Sequence, residues 1–142
     1  MNFDFSDDDK MIQDQVNRFL RDNCGFGEFR SVLEGDAAYS ENVWRGLSEM
    51  GVQGTAIPSV YGGVDAGYLS LCLAARELGA HLAPVPFSSS IYLAAEAIQR
   101  SGSETQKEEW LPKLASGEII GTLAVTETVR ELAPEDITTT FA

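Results

Sequence analysis

The stretch "SETQKEEWLPKLASGEIIGTLAVTE" (residues 103–127) contains the change of periodicity that decides the predicted fold. Ser103, with Gln106 three residues later, is the pattern of a capping box, which starts a helix. The apolar face of that helix is Trp110, Leu111 and Leu114. Toward the end of the stretch apolar and small polar residues alternate, as they do along a β-strand. The stretch therefore predicts a helix followed by the first strand of a new unit.

Five more helices are predicted ahead of this stretch. The first begins at Ser6, a suitable N-cap, with Asp9 three residues later and acidic residues in the first turn. The other four are predicted at 28–34, from Ser40, at 65–78 and at 88–100. Residues 52–57 are predicted to be a short extended piece, and Tyr61, Gly62 and Gly63 to form a structural loop.

Two of the predicted helices have an apolar stripe that should face the core. On the fourth helix the stripe is Leu69, Cys72, Ala75 and Leu78. On the fifth helix it is Ile91, Ala94, Ala95 and Ile98. The fold class that follows is mainly α. A bundle of about six helices over residues 1–118 precedes the first one or two strands of an incomplete β-domain at 119–142. Because two lone strands are marginal in water, we expect the chain to be the front part of a larger protein.

The composition limits the classes of partner. The 142-residue chain is 44% hydrophobic and 23% charged, as a globular protein is. Its formal net charge of −12 repels phosphate backbones and anionic lipids, so no nucleic-acid partner is expected. No apolar run approaches the ~20 residues that cross a bilayer, so no membrane span is expected. The acidic N-terminus lacks the layout of a signal peptide, which predicts a cytoplasmic protein.

The residues that could bind a metal are few. Cys24 and Cys72 have no CxxC spacing, and His81 is the one histidine. A metal site needs three or four convergent ligands, so none is predicted. Cys72 is expected to be a small core residue. His81 is expected at a helix end, in a solvated or capping role.

Three stretches, taken in order, resemble the acyl-CoA dehydrogenase family. They are "IPSVYGGVDAG" (57–67), "AARELGAHLAPVPF" (74–87) and "GSETQKEEWLPKLASGEIIGTLAVTE" (102–127). The resemblance covers nearly the whole chain and is strongest in the last stretch. It implies the N-terminal helical domain, plus the first strand of the central β-domain, of a longer flavoprotein.

The family resemblance also implies a reaction. Its members oxidise an acyl-CoA thioester to the α,β-enoyl-CoA, with hydride transfer to FAD, while a carboxylate base removes the α-proton. That base is usually a glutamate of the C-terminal bundle, so no catalytic residue is assigned to this chain, which alone is expected to be inactive. The expected partners are the acyl-CoA thioester, an electron-accepting flavoprotein, and further subunits of a homo- or hetero-oligomer.

The same resemblance implies three flavin contacts, at Leu123, Val125 and Thr126. They would be made by backbone groups and the threonine hydroxyl; for the two apolar residues, ordinary strand packing is an equal alternative. The stretch "TVRELAPED" (128–136) departs from the family, which has Pro, Gly and Ser there. Small residues let backbone amides approach the flavin and the thioester, and this stretch is bulky.

The acyl pocket of the family maps onto Val85, Pro86, Ser89 and Leu93. For Leu93 the alternative is core packing, and for Ser89 it is helix capping. Pro86, followed by small serines, indicates room for a bulky acyl group.

Three functions remain open from the sequence. The first is the N-terminal part of an acyl-CoA dehydrogenase-like enzyme. The second, favoured by the departure after Glu127, is a non-catalytic partner subunit of a heteromeric acyl-CoA dehydrogenase. The third is a stand-alone helical interaction domain, against which the exposed strand edge counts as an aggregation liability.

Overall fold

The computed structural model describes residues 4–124, which form a bundle of six α-helices. The helices are α1 (Asp7–Asn23), α2 (Phe26–Glu34), α3 (Glu41–Glu49), α4 (Gly67–Ala80), α5 (Glu96–Ser101) and α6 (Glu104–Ala115). Two 3₁₀ turns cover Val52–Gly54 and Ser59–Tyr61, and a π-helix, Ser88–Ala95, runs directly into α5. The prediction of a mainly α bundle of about six helices is confirmed. The predicted strand lies largely outside the described residues, so it and the domain division at 118 stay predictions.

The predicted helix starts are confirmed at α1 and α6. The Ser6 hydroxyl accepts a hydrogen bond from the Asp9 N–H at 3.1 Å, and the Asp9 carboxylate accepts one from the Ser6 N–H at 3.3 Å. At α6 the Gln106 N–H donates to the Ser103 hydroxyl at 3.3 Å, and the Ser103 N–H donates to the Gln106 side chain at 2.8 Å. Each box satisfies backbone donors that the first turn of a helix leaves free.

The buried apolar side chains form two clusters. The larger cluster lies between α1, α3, α4 and the π-helix and contains Val16, Leu20, Cys24, Val43, Trp44, Leu47, Val52, Leu71, Ala74, Leu78, Phe87 and Ile91. The smaller cluster is built around α6 and contains Ile57, Ala95, Leu111, Leu114 and Ala115. The predicted inward face of the fifth helix is confirmed, since Ile91, Ala94 and Ala95 are buried and Ile98 packs against the smaller cluster.

The predicted core stripe of α4 is confirmed at Leu78, which is buried, and at Ala75, which packs against the larger cluster, but it is wrong at Leu69 and Cys72. Leu69 is 51% exposed and Cys72 is also exposed, so Cys72 is no core residue. The buried face of α4 is Ser70, Leu71, Leu73, Ala74, Glu77 and Leu78. The physical reason is polar pairing with α1: Ser70 donates to Asp9, and Glu77 accepts from two amide side chains of α1.

Glu77 is a buried carboxylate at the α1–α4 contact. Its oxygens accept hydrogen bonds from Gln13 Nε2 at 2.7 Å and from Asn17 Nδ2 at 2.6 Å. Arg76 Nε lies 3.4 Å from the carboxylate. Burial alone raises the pKa of the Glu77 carboxyl, but the hydrogen bonds from Asn17 and Gln13 and the charges of Arg76 and His81 outweigh it. The net pKa therefore lies below its ordinary value.

Residues 52–57, predicted to be extended, instead begin with a 3₁₀ turn, so that prediction is wrong. The Thr55 N–H donates to the Val52 carbonyl at 3.3 Å, which satisfies the backbone locally. The following residues fold back, and the Val64 N–H reaches the Gly54 carbonyl at 2.8 Å. A Cβ on Gly63 would lie 1.9 Å from the Ile57 carbonyl oxygen, so only glycine fits there. This loop is structural, as the sequence predicted.

The helices of residues 4–124 include none with the length and apolarity to cross a bilayer.

Candidate functional site

The π-helix and the turn before it carry the four residues predicted to line an acyl pocket. The turn is tied to the bundle, because the Ser40 N–H donates to the Pro84 carbonyl at 2.8 Å and the Ala83 N–H to the Leu78 carbonyl at 2.9 Å. Buried Phe87 then leads into the π-helix. Such widened turns occur often at functional sites, because they displace side chains from the regular α-helical register.

One of the four predicted residues lines a cleft between residues that the structure describes. Val85 lines a cleft of about 250 Å³ whose walls include Leu78, Leu82, Phe87 and Ser88. Pro86, Ser89 and Leu93 are not among the residues that line this cleft. Ser89 is half-buried, and its hydroxyl donates to the Pro86 carbonyl at 3.1 Å. Leu93 is 45% exposed, so the alternative of core packing for Leu93 is wrong.

Tyr92, which the sequence analysis did not single out, fixes the π-helix to α4. Its hydroxyl donates to the Leu71 carbonyl at 3.3 Å, and its ring meets Phe87 edge to face with centroids 6.0 Å apart. Burial raises the pKa of the Tyr92 phenol to about 12, with a smaller contribution from Cys72. Tyr92 therefore stays protonated and serves as a hydrogen-bond donor at neutral pH.

The segment after α6 is anchored to the bundle at two glycines. Trp44 Nε1 donates to the Gly117 carbonyl at 3.0 Å, and Gly117 has the left-handed φ of 69°. Four residues later, the Gly121 N–H donates to the Ser90 hydroxyl at 3.2 Å. Between these points Ile119 packs against the smaller core cluster. The chain therefore leaves the bundle along the π-helix.

Of the three predicted flavin contacts, Leu123 lies within the described residues. Its side chain is 43% exposed, two residues beyond the Gly121 anchor. Ile120 is 41% exposed on the same segment. Val125 and Thr126 lie outside the described residues.

His81 and Cys24 have structural roles in the bundle. His81 caps α4 with its N–H bonded to the Glu77 carbonyl at 3.1 Å, the helix-end position that the sequence predicted. Burial raises the pKa of the Cys24 thiol, with a smaller contribution from Glu28, which makes it a poor nucleophile. Among residues 4–124 no three His, Cys, Asp or Glu side chains group closely enough to hold a metal ion.

Comparison with known proteins gives a consistent match. The family model described as acyl-CoA dehydrogenase, N-terminal domain, matches residues 6–118. Isovaleryl-CoA dehydrogenase, mitochondrial, from Arabidopsis thaliana is 32% identical over 125 residues, which is 87% of this chain and 31% of the plant protein. The chain thus spans less than a third of the length of that relative.

Solved structures share the fold. The ChsE4–ChsE5 complex from Mycobacterium tuberculosis matches with a TM-score of 0.83 at 27% identity, over 92% of this chain and 36% of that chain. An acyl-CoA dehydrogenase complexed with FAD from Bacillus anthracis matches with a TM-score of 0.79 at 26% identity, over 90% of this chain and 22% of that chain.

Proposed function

Because this chain belongs to the acyl-CoA dehydrogenase family, as its N-terminal domain, we propose that it is the helical front part of a flavoprotein. The parent protein oxidises an acyl-CoA thioester to the α,β-enoyl-CoA. The observation that carries the proposal is the family match across residues 6–118, which takes in every helix of the bundle. No catalytic residue is assigned to this chain, so the chain alone is inactive.

FAD is the cofactor proposed for the parent protein. When bound, it supplies the oxidising chemistry by accepting a hydride from the acyl β-carbon. Leu123, on a segment held to the bundle at Gly121, would hold the flavin through its backbone groups, and its exposed side chain would add an apolar contact. Val125 contributes backbone groups, and the Thr126 hydroxyl donates or accepts a hydrogen bond.

The acyl group is proposed to contact Val85, Pro86, Ser89 and Leu93. The exposure of Leu93 supports this role, because an apolar side chain that is left uncovered by its own bundle is available to an apolar ligand. These residues bind and orient the acyl chain. The carboxylate that removes the α-proton comes from elsewhere in the parent protein.

The second candidate function is a non-catalytic partner subunit of a heteromeric acyl-CoA dehydrogenase. The bulky "TVRELAPED" stretch (128–136) favours it, since backbone amides approach a flavin less easily past large side chains. The similarity to one chain of the ChsE4–ChsE5 complex supports an assembly of more than one kind of subunit. In either case we propose an oligomer that passes electrons to another flavoprotein in the cytoplasm.

The visible absorption spectrum of the uninterrupted gene product tests the proposal. A flavin band that bleaches on addition of an acyl-CoA thioester is the expected result for the enzyme. A flavin band that acyl-CoAs leave unchanged contradicts the proposed reaction. A colourless protein that is retained by a flavin-bearing partner during co-purification favours the second candidate.

A further inference from the structure

A hydrogen bond joins the π-helix to the segment that leaves the bundle. The donor is the Gly121 N–H and the acceptor is the Ser90 hydroxyl, 3.2 Å away. Ser90 is 0% exposed, and its own N–H donates to the Pro86 carbonyl at 3.1 Å. The π-helix therefore fixes the position of the Ser90 hydroxyl independently of its hydrogen bond with Gly121.

Gly121 lies directly against the π-helix. A Cβ at this position would be 2.5 Å from the Ala94 Cβ and 3.4 Å from Leu114 Cδ2. Gly121 does not have a left-handed φ, so close contact, and not backbone conformation, is what requires glycine here. Ser90 and Ala94 thus form one seat for Gly121: the first supplies a polar partner and the second limits the distance.

The seat lies between the two sets of residues that the proposed function uses. Ser89 precedes Ser90 on the π-helix and Leu93 follows it, and both are proposed to contact the acyl group. Leu123 lies two residues beyond Gly121 and is proposed to contact the flavin. The Ser90–Gly121 hydrogen bond is therefore a direct connection between the acyl-binding helix and the flavin-binding segment.

We propose that Ser90 is a positioning residue, which holds the flavin-contacting segment at a fixed distance from the acyl-contacting helix. This inference rests on the proposed function. Hydride transfer depends steeply on the separation of the reacting atoms, and a shift of about 1 Å can cost a large factor in rate. The second anchor, between Trp44 and Gly117, lies at the other end of the segment and cannot fix the position of Leu123 alone.

Two routes to disrupt the seat give a matched set of variants. Ser90→Ala removes the acceptor and keeps the helix. Gly121→Ala keeps the acceptor and pushes the segment away from Ala94, and adding Ala94→Gly to it restores the space. Ser31→Ala is the control, because it removes a different serine hydroxyl, which donates to the Glu28 carbonyl at 2.8 Å on the exposed helix α2 and does not contact Gly121.

The first readout is amide hydrogen exchange in the 142-residue chain, which needs no flavin. Ser90→Ala is expected to speed exchange of the Gly121 amide about fivefold, as the loss of one ordinary hydrogen bond predicts. Ser31→Ala should leave it unchanged. If the exchange rate of the Gly121 amide is unchanged in Ser90→Ala, then Ser90 does not hold Gly121 and the proposal is overturned.

The second readout is the rate at which acyl-CoA bleaches the flavin-loaded full-length protein. Ser90→Ala and Gly121→Ala are expected to lower that rate at saturating substrate on the order of tenfold with KM unchanged, and the Gly121→Ala/Ala94→Gly pair to recover it. A normal bleaching rate despite faster exchange makes the bond merely structural and overturns the positioning role. A colourless full-length protein contradicts the proposed dehydrogenase reaction and Ser90's role in it, while the exchange result still decides whether Ser90 holds Gly121.

Discussion

Glu77 shows how a single buried charge ties two helices together. Its carboxylate is satisfied by Gln13 and Asn17 of α1, and α1 and α4 form the broadest helix contact in the bundle. The sequence does not predict this role. A glutamate in "AARELGA" is expected to face solvent, because nothing nearby in the sequence indicates its partners, which lie about 60 residues away. Hydrophobic periodicity predicts which face of a helix is apolar, but it does not predict that a carboxylate is buried with polar partners.

Glu77→Gln is expected to lower the free energy of unfolding by about 1–3 kcal/mol at pH 7, because the amide is a poorer acceptor for the half-buried donors Gln13 and Asn17. The folded-state pKa of Glu77 lies below its ordinary value, so its stabilisation is complete above that ordinary value and is lost as pH falls through the folded pKa. The difference in the free energy of unfolding between wild type and Glu77→Gln should therefore become smaller at acidic pH. Urea denaturation at pH 7 and pH 3 measures it.

Asp14→Asn, which replaces an exposed carboxylate on α1, is the control and should change the free energy of unfolding little at either pH. A Glu77→Gln gap that is the same at pH 3 as at pH 7 contradicts the account of this carboxylate.

Gly63 gives a second prediction at the residue scale. Gly63→Ala should destabilise the chain by about 1–3 kcal/mol, because its Cβ meets a backbone carbonyl that cannot move without opening the loop. Gly79→Ala on α4, where no atom lies within 4 Å of the new Cβ, should be neutral or stabilising by up to about 1 kcal/mol. Thermal unfolding of both variants distinguishes the sites, and equal effects would refute the steric argument.

At the scale of elements, the sequence predicts where capped helices begin, but it does not predict the 3₁₀ turn at Val52–Gly54 or the buried face of α4 in full. The capping boxes at Ser6 and Ser103 were predictable, because both partners lie within four residues of each other. The π-helix was predicted as an ordinary helix, since its residue pattern does not differ from that of an α-helix. On α4 the buried apolar residues Leu71, Ala74 and Leu78 do follow helical spacing, and the prediction fails at Leu69 and Cys72 because the same face also buries polar residues that pair with α1.

The candidate site was predictable only in part. Its segments were found through the family resemblance, whereas Ser90 and Gly121 lie 31 residues apart and each looks unremarkable by itself. A small residue without a local motif gives no sequence signal of the close approach it permits.

The π-helix carries the prediction about substrate size. Ser89→Trp in the full-length protein should lower kcat/KM for bulky acyl-CoAs on the order of tenfold while short acyl-CoAs are affected less, because the added ring occupies space that only a large acyl group needs. Ser101→Trp, at the exposed end of α5, is the matched control. An equal loss for acyl-CoAs of all sizes would count against a pocket at this helix.

Across the whole molecule, the surface combines a strongly negative charge with exposed apolar side chains. The net charge is −12, yet large apolar side chains are exposed on several elements. They include Phe26, Leu33, Leu69, Leu93 and Leu123. In the longer protein that we propose, the further domains and subunits would cover part of these side chains.

We therefore expect the 142-residue chain to bind a fluorescent apolar dye more strongly, per molecule, than the full-length protein does. The physical reason is that the remaining domains and subunits cover these side chains. Dye titration at matched concentrations, together with size-exclusion chromatography, measures the difference. A chain that stays monomeric and binds no dye contradicts this expectation.

The flavin content of the purified full-length protein tests whether the segment after α6 helps to hold the cofactor, and three forms are compared: wild type, Leu123→Asp and Leu33→Asp. Both leucines are exposed in the bundle, but only Leu123 is proposed to contact the flavin. A carboxylate against the flavin ring is costly to desolvate, so Leu123→Asp should lose flavin about tenfold or more, while Leu33→Asp on α2 keeps the wild-type absorption band. Retention of flavin by both variants would contradict the claim that this segment helps to hold the cofactor.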